Sequence, residues 1–228
     1  MEKKKIVVFT GAGISKASGI STFRDSDGLW ANHKIEDVAT HQAWLKNPQR
    51  ILDFFNERRK EMLTKKPNDA HYGLVELEKK YDVTIITQNV DDLHEKAGSS
   101  KIMHLHGEIT KCRAENNVDV LYDYDKDLKL GDTDKNGSQL RPHVVLFDEQ
   151  VPMMFYAGLS CKKADIFVVI GSSLIVQPAA SLIQLVYPTS LKYIIDPIKP
   201  HFYELPSNIQ FIEKEAVEGI KDLLKILL

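Results

Sequence analysis

Short apolar runs rich in β-branched residues recur along the chain at Lys5–Thr10, Val83–Thr87, His143–Phe147, Asp165–Ile170, Tyr193–Ile195 and Ile209–Ile212, each bounded by Gly, Asn, Asp or Pro. Near-continuous runs of this length predict strands covered on both faces, as in a parallel sheet. Helical patterns lie between several of them. Asn47 precedes Pro48 as an N-cap followed by a proline in the first helical position, and apolar residues then repeat at Ile51, Phe54, Phe55 and Met62. Ala216 to Leu228 predicts a closing helix. This alternation predicts an α/β fold with a doubly wound, mostly parallel, Rossmann-like sheet, whose ligand site lies beyond the carboxyl ends of the strands. Two stretches break the rhythm. Residues 25–70 hold helical but no convincing strand pattern and read as an insertion. Residues 113–140 are polar and acidic, end in Gly131-Asp-Thr-Asp-Lys-Asn-Gly137, and are long for a structureless loop, which predicts a small lobe or a mobile segment. The expectation is one domain over 1–228, with a core of 1–24, 71–112 and 141–228 and a small lobe from the two insertions.

At 228 residues and 43% hydrophobic, the chain can bury a substantial core. Thirty basic against 32 acidic residues leave a net charge of −2, so no basic field requires nucleic acid as a partner. Two cysteines, Cys112 and Cys161, make no disulfide framework and predict a reducing, cytoplasmic setting. The apolar run after the basic start, Ile6 to Phe9, is too short for a signal segment, and no stretch approaches the roughly 20 apolar residues of a membrane span. No membrane partner is expected, and the chain is expected to act as a monomer.

Gly11-Ala12-Gly13-Ile14-Ser15 follows the first strand and precedes a short helical stretch. Glycines let a backbone approach a pyrophosphate, and a helix N-terminus adds N–H donors and a favourable dipole. The next glycine is Gly19, so the spacing is not the dehydrogenase pattern, and nucleotide binding and a plain tight turn both remain open on this feature alone. Gly171-Ser172-Ser173 forms a second such junction after another strand.

Five segments then become specific. Gly11-Ala-Gly-Ile-Ser-Lys-Ala-Ser-Gly-Ile-Ser-Thr-Phe-Arg24, Thr87-Gln-Asn-Val-Asp-Asp-Leu-His94, Leu105-His106-Gly107, Arg141-Pro-His-Val-Val-Leu-Phe147 and Gly171-Ser-Ser-Leu-Ile-Val-Gln-Pro-Ala179 occur in this order. They resemble the motifs of the sirtuin family, NAD-dependent protein lysine deacylases. The resemblance implies NAD as cofactor, held by Gly11, Ala12, Gly13, Ser15, Phe23, Arg24, Gln88, Asn89, Asp91, Gly171, Ser172, Ser173, Asp196 and Ala216. It implies that Asn89 and Asp91 hold the nicotinamide and its ribose, and that the acyl oxygen of an acyl-lysine protein or peptide attacks the ribose. His106 would then be the base that activates a ribose hydroxyl, a task suited to a side chain whose ordinary pKa of about 6.5 lies near working pH. The products would be nicotinamide, free lysine and O-acyl-ADP-ribose. The peptide would add as a strand beside Val145–Phe147. His104, two residues from His106 on an extended segment, points the other way and reads as structural.

The sequence also departs from the family. Most sirtuins carry two C-x-x-C pairs between the histidine and RP motifs, whereas this chain has Cys112 alone there, so no structural zinc is expected. Asp132-Thr-Asp134-Lys-Asn136-Gly137 matches the first half of a calcium loop, but His143 stands where its last ligand, a glutamate, belongs, and a polar turn is the better reading. Ser21 replaces a usual proline, Asp148 a frequent glycine, and Asp196 an asparagine. Phe54-Phe55-Asn56-Glu57-Arg58-Arg59 resembles the segment by which desuccinylase and demalonylase sirtuins of bacterial type clamp an acyl carboxylate between a tyrosine and an arginine. Arg58 is retained, the tyrosine is Phe55, and Ala39 matches the small residue of the widened pocket. Acetyl, acidic acyl groups, or both are therefore expected substrates. An NAD glycohydrolase or ADP-ribosyltransferase is the rival within enzymes, and a non-enzymatic NAD-sensing module the rival outside them.

Overall fold

Five of the six apolar runs become strands of one six-stranded parallel sheet. The computed structural model describes residues 2–22, 29–30, 33–124, 126–200 and 208–228. Strand β1 (Lys5–Thr10) leads into two three-residue 3-10 turns, Ala12–Ile14 and Lys16–Ser18. A two-residue hairpin follows, β2 (Leu29–Trp30) and β3 (His33–Lys34), then helices α1 (Ile35–Val38), α2 (His41–Lys46), α3 (Pro48–Leu63) and α4 (Asp69–Glu78). Next come β4 (Asp82–Thr87), α5 (Leu93–Ala97), β5 (Ile102–His104), β6 (Gly107–Ala114), β7 (Asn117–Asp123), β8 (Leu140–Val144) and α6 (Met154–Cys161). The chain finishes with β9 (Ile166–Ile170), a 3-10 stretch at Ala179–Leu185, β10 (Leu191–Ile195), β11 (Ile209–Ile212) and α7 (Ala216–Leu227).

The sheet order is β11-β10-β9-β1-β4-β5. From β1 the chain first builds outward to β4 and β5, then returns to the opposite side of β1 with β9. The strand order therefore reverses between β1 and β9, and in such sheets the crevice at the reversal is where ligands bind. Alternation along β1 sends Ile6 and Val8 to one face, under Leu74 and Leu77 of α4 and Ile220 and Leu223 of α7. Val7 and Phe9 go to the other, under Ala157 and Cys161 of α6 and Leu182 and Ile183 of the 3-10 stretch. Both faces are covered, which is why these strands read as unbroken apolar runs.

Three expectations need correction. The His143–Phe147 run does not join the parallel sheet; the strand there is β8, shifted to Leu140–Val144 and antiparallel to β6. The sixth parallel strand is β5, only three residues long. The 25–70 insertion contains the short hairpin β2–β3, although no strand is expected in it.

The polar stretch 113–140 is part of a three-stranded antiparallel sheet, β7-β6-β8, packed on α3. Its attachment is local. The Asn56 side chain of α3 donates to the Leu128 carbonyl at 2.9 Å and accepts from the Leu128 N–H at 3.0 Å. The Arg59 guanidinium, 3% exposed, lies 4.6 Å from the Tyr124 ring centre and pairs with Asp127. Trp44 Nε1 donates to Glu115 at 2.6 Å. Cys112 is buried in this lobe and Cys161 under α6, and burial pushes their thiols up to about 11 and about 12. Among the described residues no three His, Cys, Asp or Glu side chains cluster as metal ligands. The Asp134 carboxylate instead accepts the N–H groups of Asn136 and Ser138, both at 2.9 Å, closing a polar turn at Gly137. No helix among the described residues is long and apolar enough to cross a membrane.

Candidate active site

The crevice between β1 and β9 opens into a cleft of about 500 Å³. Its floor is two glycine turns in contact. Gly11 N–H donates to the Ile170 carbonyl at 3.1 Å, and Gly13 N–H to the Gly171 carbonyl at 2.9 Å. Gly171 has φ +62, and a Cβ there would stand 2.4 Å from the Ile14 nitrogen. Only a residue without a Cβ satisfies both the dihedral and the contact. Gly171→Ala is expected to cost about 2–5 kcal/mol, strain and overpacking together. A urea unfolding midpoint equal to the parent's would contradict this.

The helical stretch after β1 is not an α-helix but the two 3-10 turns, too short to carry a macrodipole. What the turn offers a phosphate is backbone N–H and close approach. The Ala12 N–H makes no hydrogen bond among the described residues.

The loop after β4 carries the polar chemistry. Gln88 N–H donates to the Thr10 carbonyl at 2.9 Å, and the Gln88 side-chain oxygen accepts from Ser172 Oγ at 3.0 Å, tying this loop to both glycine turns. Asn89 Nδ2 donates to the Gly11 carbonyl at 3.1 Å and to Ser15 Oγ at 3.2 Å. Ser15 Oγ in turn donates to Asp91 Oδ2 at 3.0 Å, while Asp91 Oδ1 accepts the N–H of Leu93, the first residue of α5, at 3.1 Å. Burial pushes the Asp91 carboxyl up, against the Leu93 and Ser15 hydrogen bonds and the His104 charge, which pull it down.

His106 lines the cleft. Its Nδ1 is 3.0 Å from the Gln88 carbonyl, an acceptor only, so Nδ1 carries the proton and Nε2 keeps the free lone pair. Burial holds its pKa below the ordinary histidine value, partly offset by that carbonyl. His104 turns away. Its Nδ1 donates to the Asn89 carbonyl at 3.0 Å and its Nε2 pairs with Glu95 at 2.8 Å. Burial lowers the His104 pKa, but the Glu95 partner and the Asn89 carbonyl outweigh it and hold the ring's pKa up.

The cleft is lined by Gly11, Ala12, Gly13, Gln88, Asn89, Asp91, His106, Val145, Phe147, Gly171, Ser172, Ser173 and Asp196. Ser15 is fully buried behind Asn89 and Asp91. Ala216 is buried beside Glu215, which lines the cleft and pairs with Lys16 at 3.2 Å. Ala39, Phe55 and Arg58 are not in the lining; Ala39 and Phe55 are buried in the adjoining apolar cluster. Phe23 and Arg24 lie outside the described residues.

Sequence reading missed the cleft's apolar end, made by Ile20, Met62, Val90, Val144 and Leu146, because apolar residues give no chemical signature. It also missed Glu149, whose carboxylate accepts from Arg141 Nη1 at 2.7 Å, from the Leu146 N–H at 2.8 Å, and meets His41 Nδ1 at 3.1 Å. Within the Val145–Phe147 segment several main-chain groups are already engaged. Val145 N–H donates to the His106 carbonyl, Phe147 N–H to the Ala39 carbonyl, and the Phe147 carbonyl accepts from His41 N–H. Asp148 follows with φ +73, the left-handed region that favours glycine.

A cleft at the reversal of a doubly wound sheet, floored by two glycine turns and holding an oriented imidazole, defines an α/β enzyme acting on a dinucleotide. The Sir2 family model matches residues 11–178, and the chain belongs to the Sir2 family. An NAD-dependent protein deacylase of Helicobacter pylori is 51% identical over 99% of this chain and 98% of its own length. One from Bacteroides thetaiotaomicron is 46% identical, with the same two coverages. A solved Sir2 homologue in complex with NAD superposes with a TM-score of 0.87 at 35% identity, over 99% of this chain and 90% of that one.

Proposed function

We propose that the chain is an NAD-dependent protein lysine deacylase, moving the acyl group from lysine to ADP-ribose with release of nicotinamide and consumption of one water. The observation that carries this is His106, with Nδ1 committed to the Gln88 carbonyl and Nε2 left as a base in the cleft between the glycine turns and the Val145–Phe147 segment.

The site fits NAD. The two glycine turns accept a pyrophosphate where no side chain intervenes, and Asp196, which lines the cleft at the end of β10, offers a carboxylate to ribose hydroxyls. Bound there, NAD would supply an electrophilic ribose carbon with nicotinamide as its leaving group. Asn89 and Asp91, locked by Ser15 and by the Gly11 carbonyl, orient the nicotinamide end. His106 Nε2 takes a proton from a ribose hydroxyl. Ile20, Val90 and Leu146 give the acyl chain an apolar end of the cleft to enter. Val145 and Phe147, fixed by their main-chain bonds and by Glu149, flank the acyl-lysine.

Acetyl fits this apolar end, and acidic acyl groups such as succinyl or malonyl are the second class that Arg58 on α3 could hold. The test is mass spectrometry of one lysine peptide carrying acetyl or succinyl, incubated with NAD. The expected result is deacylated peptide, nicotinamide and O-acyl-ADP-ribose in equal amounts. Free ADP-ribose with the peptide unchanged would replace this reading with NAD hydrolysis.

A further inference from the structure

The turn that carries Ser15 is held from two directions. Gly13 N–H meets the Gly171 carbonyl on the side of β9. From α4 comes Asn68, 54 residues from Ile14 in sequence and outside all five motif segments. Its Nδ2 donates to the Ile14 carbonyl at 2.8 Å and to Ser18 Oγ at 3.0 Å, while its Oδ1 accepts the Ala70 N–H at 3.0 Å at the start of α4. A helix cap needs only that oxygen, and Asp or Ser supplies it as well as Asn. The two amide N–H groups therefore do something that the cap does not require. The Ile14 carbonyl belongs to the same planar peptide unit as the Ser15 nitrogen. Fixing that carbonyl fixes the plane from which Ser15 projects. Ser15 Oγ in turn accepts from Asn89 Nδ2 at 3.2 Å and donates to Asp91 Oδ2 at 3.0 Å, and all three side chains are buried. A chain of directed bonds thus runs from α4 through Ile14 and Ser15 to Asn89 and Asp91, which line the cleft.

We propose that Asn68 is a positioning residue for the chemistry on NAD: besides capping α4, it clamps the Ile14–Ser15 peptide and, through Ser15, holds Asn89 and Asp91 in place. It does not line the cleft and acts on the reaction only through these neighbours. Without the clamp the Ile14–Ser15 peptide is free to turn, and a misplacement of about 1 Å at a reacting centre costs up to about 10²-fold in rate. The inference rests on the deacylase reading of the cleft and adds a residue to its machinery.

The experiment separates the clamp from the cap. Asn68→Ser keeps a capping oxygen and removes both amide N–H groups, and Asn68→Asp does the same with a carboxylate. Nicotinamide release is followed with NAD and an acetyl-lysine peptide, per folded enzyme and well below the unfolding midpoint. Both variants are expected to lower kcat by about tenfold or more, and Asn68→Asp carries the test if the serine variant does not fold. Ser15→Ala should also lower kcat, and the double variant Asn68→Ser with Ser15→Ala should be no slower than Ser15→Ala alone, because Asn68 acts through Ser15. A purely structural Asn68 would lower the unfolding midpoint and leave kcat at the parent's value, which overturns the proposal. Effects that multiply in the double variant, or a Ser15→Ala enzyme with the parent's kcat, overturn it as well. If nicotinamide is released while the peptide keeps its acetyl group, the deacylase reading falls, and the same kcat comparison still decides the role of Asn68.

Discussion

His106→Ala is expected to lower kcat for deacylation by about 10²–10⁴-fold, the range a positioned general base contributes, while leaving the Kd for NAD close to the parent's. The argument is geometric first. The Gln88 carbonyl fixes the tautomer at 3.0 Å, so Nε2 is the one lone pair the ring can present to the cleft. The variant removes that lone pair but leaves the cleft floor intact, because the Gly11, Gly13 and Gly171 hydrogen bonds do not involve His106. Quench-flow turnover and calorimetric NAD binding check the two halves separately. Full turnover by the variant would remove His106 from the mechanism. The pH profile adds an independent check. A base acts only when neutral, and burial holds the His106 pKa below its ordinary value of 6.5. The acidic limb of kcat/KM is therefore expected below pH 6.5, and a limb above it would contradict the assignment.

The parts of this site that were legible from sequence are those where chemistry restricts the residue type. At Gly13 and Gly171 no side chain fits the close backbone contact, whereas His106 and Asn89, each of which alone could be structural, become specific only within their motifs. The strands β1, β4 and β9 were legible because both their faces are covered. The same rule misplaced His143–Phe147. A Val-Val-Leu-Phe run is equally apolar in a parallel sheet and in a segment wedged between β6 and the chain at Ala39–His41, and periodicity does not separate the two. The strand β5 has three residues, too few for any pattern. The lobe strand β7 exposes Val118, Val120 and Leu121 at 50, 43 and 40%, so its apolar residues do not alternate cleanly with polar ones. Pairings such as Arg141 with Glu149 join residues eight apart across a turn. Sequence supplies both charges without showing that Asp148 adopts the positive φ that brings them together.

A loss of stability between pH 6.5 and 4 is expected, and it traces to histidines that fold neutral. His71 and His94 are completely buried with ring centres 4.9 Å apart. Burial lowers the His71 pKa to about 4, and burial together with the neighbouring His71 holds His94 well below 6.5. His143 is likewise lowered to about 4, by burial and by Arg113. The unfolded chain protonates these rings near 6.5, so between 6.5 and 4 it binds more protons than the folded one. Stability therefore rises with pH in that window. His71 alone is worth about 2 kcal/mol at pH 5 and about 3 kcal/mol below pH 4, where both states are protonated and the loss stops growing. His104 works in the opposite sense: its raised pKa contributes stability that is present below 6.5 and lost as pH rises through the folded value. The contribution of His71 can be isolated because its Nδ1 accepts the Asn68 N–H at 3.3 Å in the capping box of α4, a role that glutamine also fills. Urea unfolding of His71→Gln and the parent from pH 7 to 5, above most of the carboxylate range, should give a shallower dependence of stability on pH in the variant. At pH 5 that difference approaches one proton in the slope. Parallel curves would show that the buried His71 takes up its proton in the folded state, and would place the acid sensitivity elsewhere.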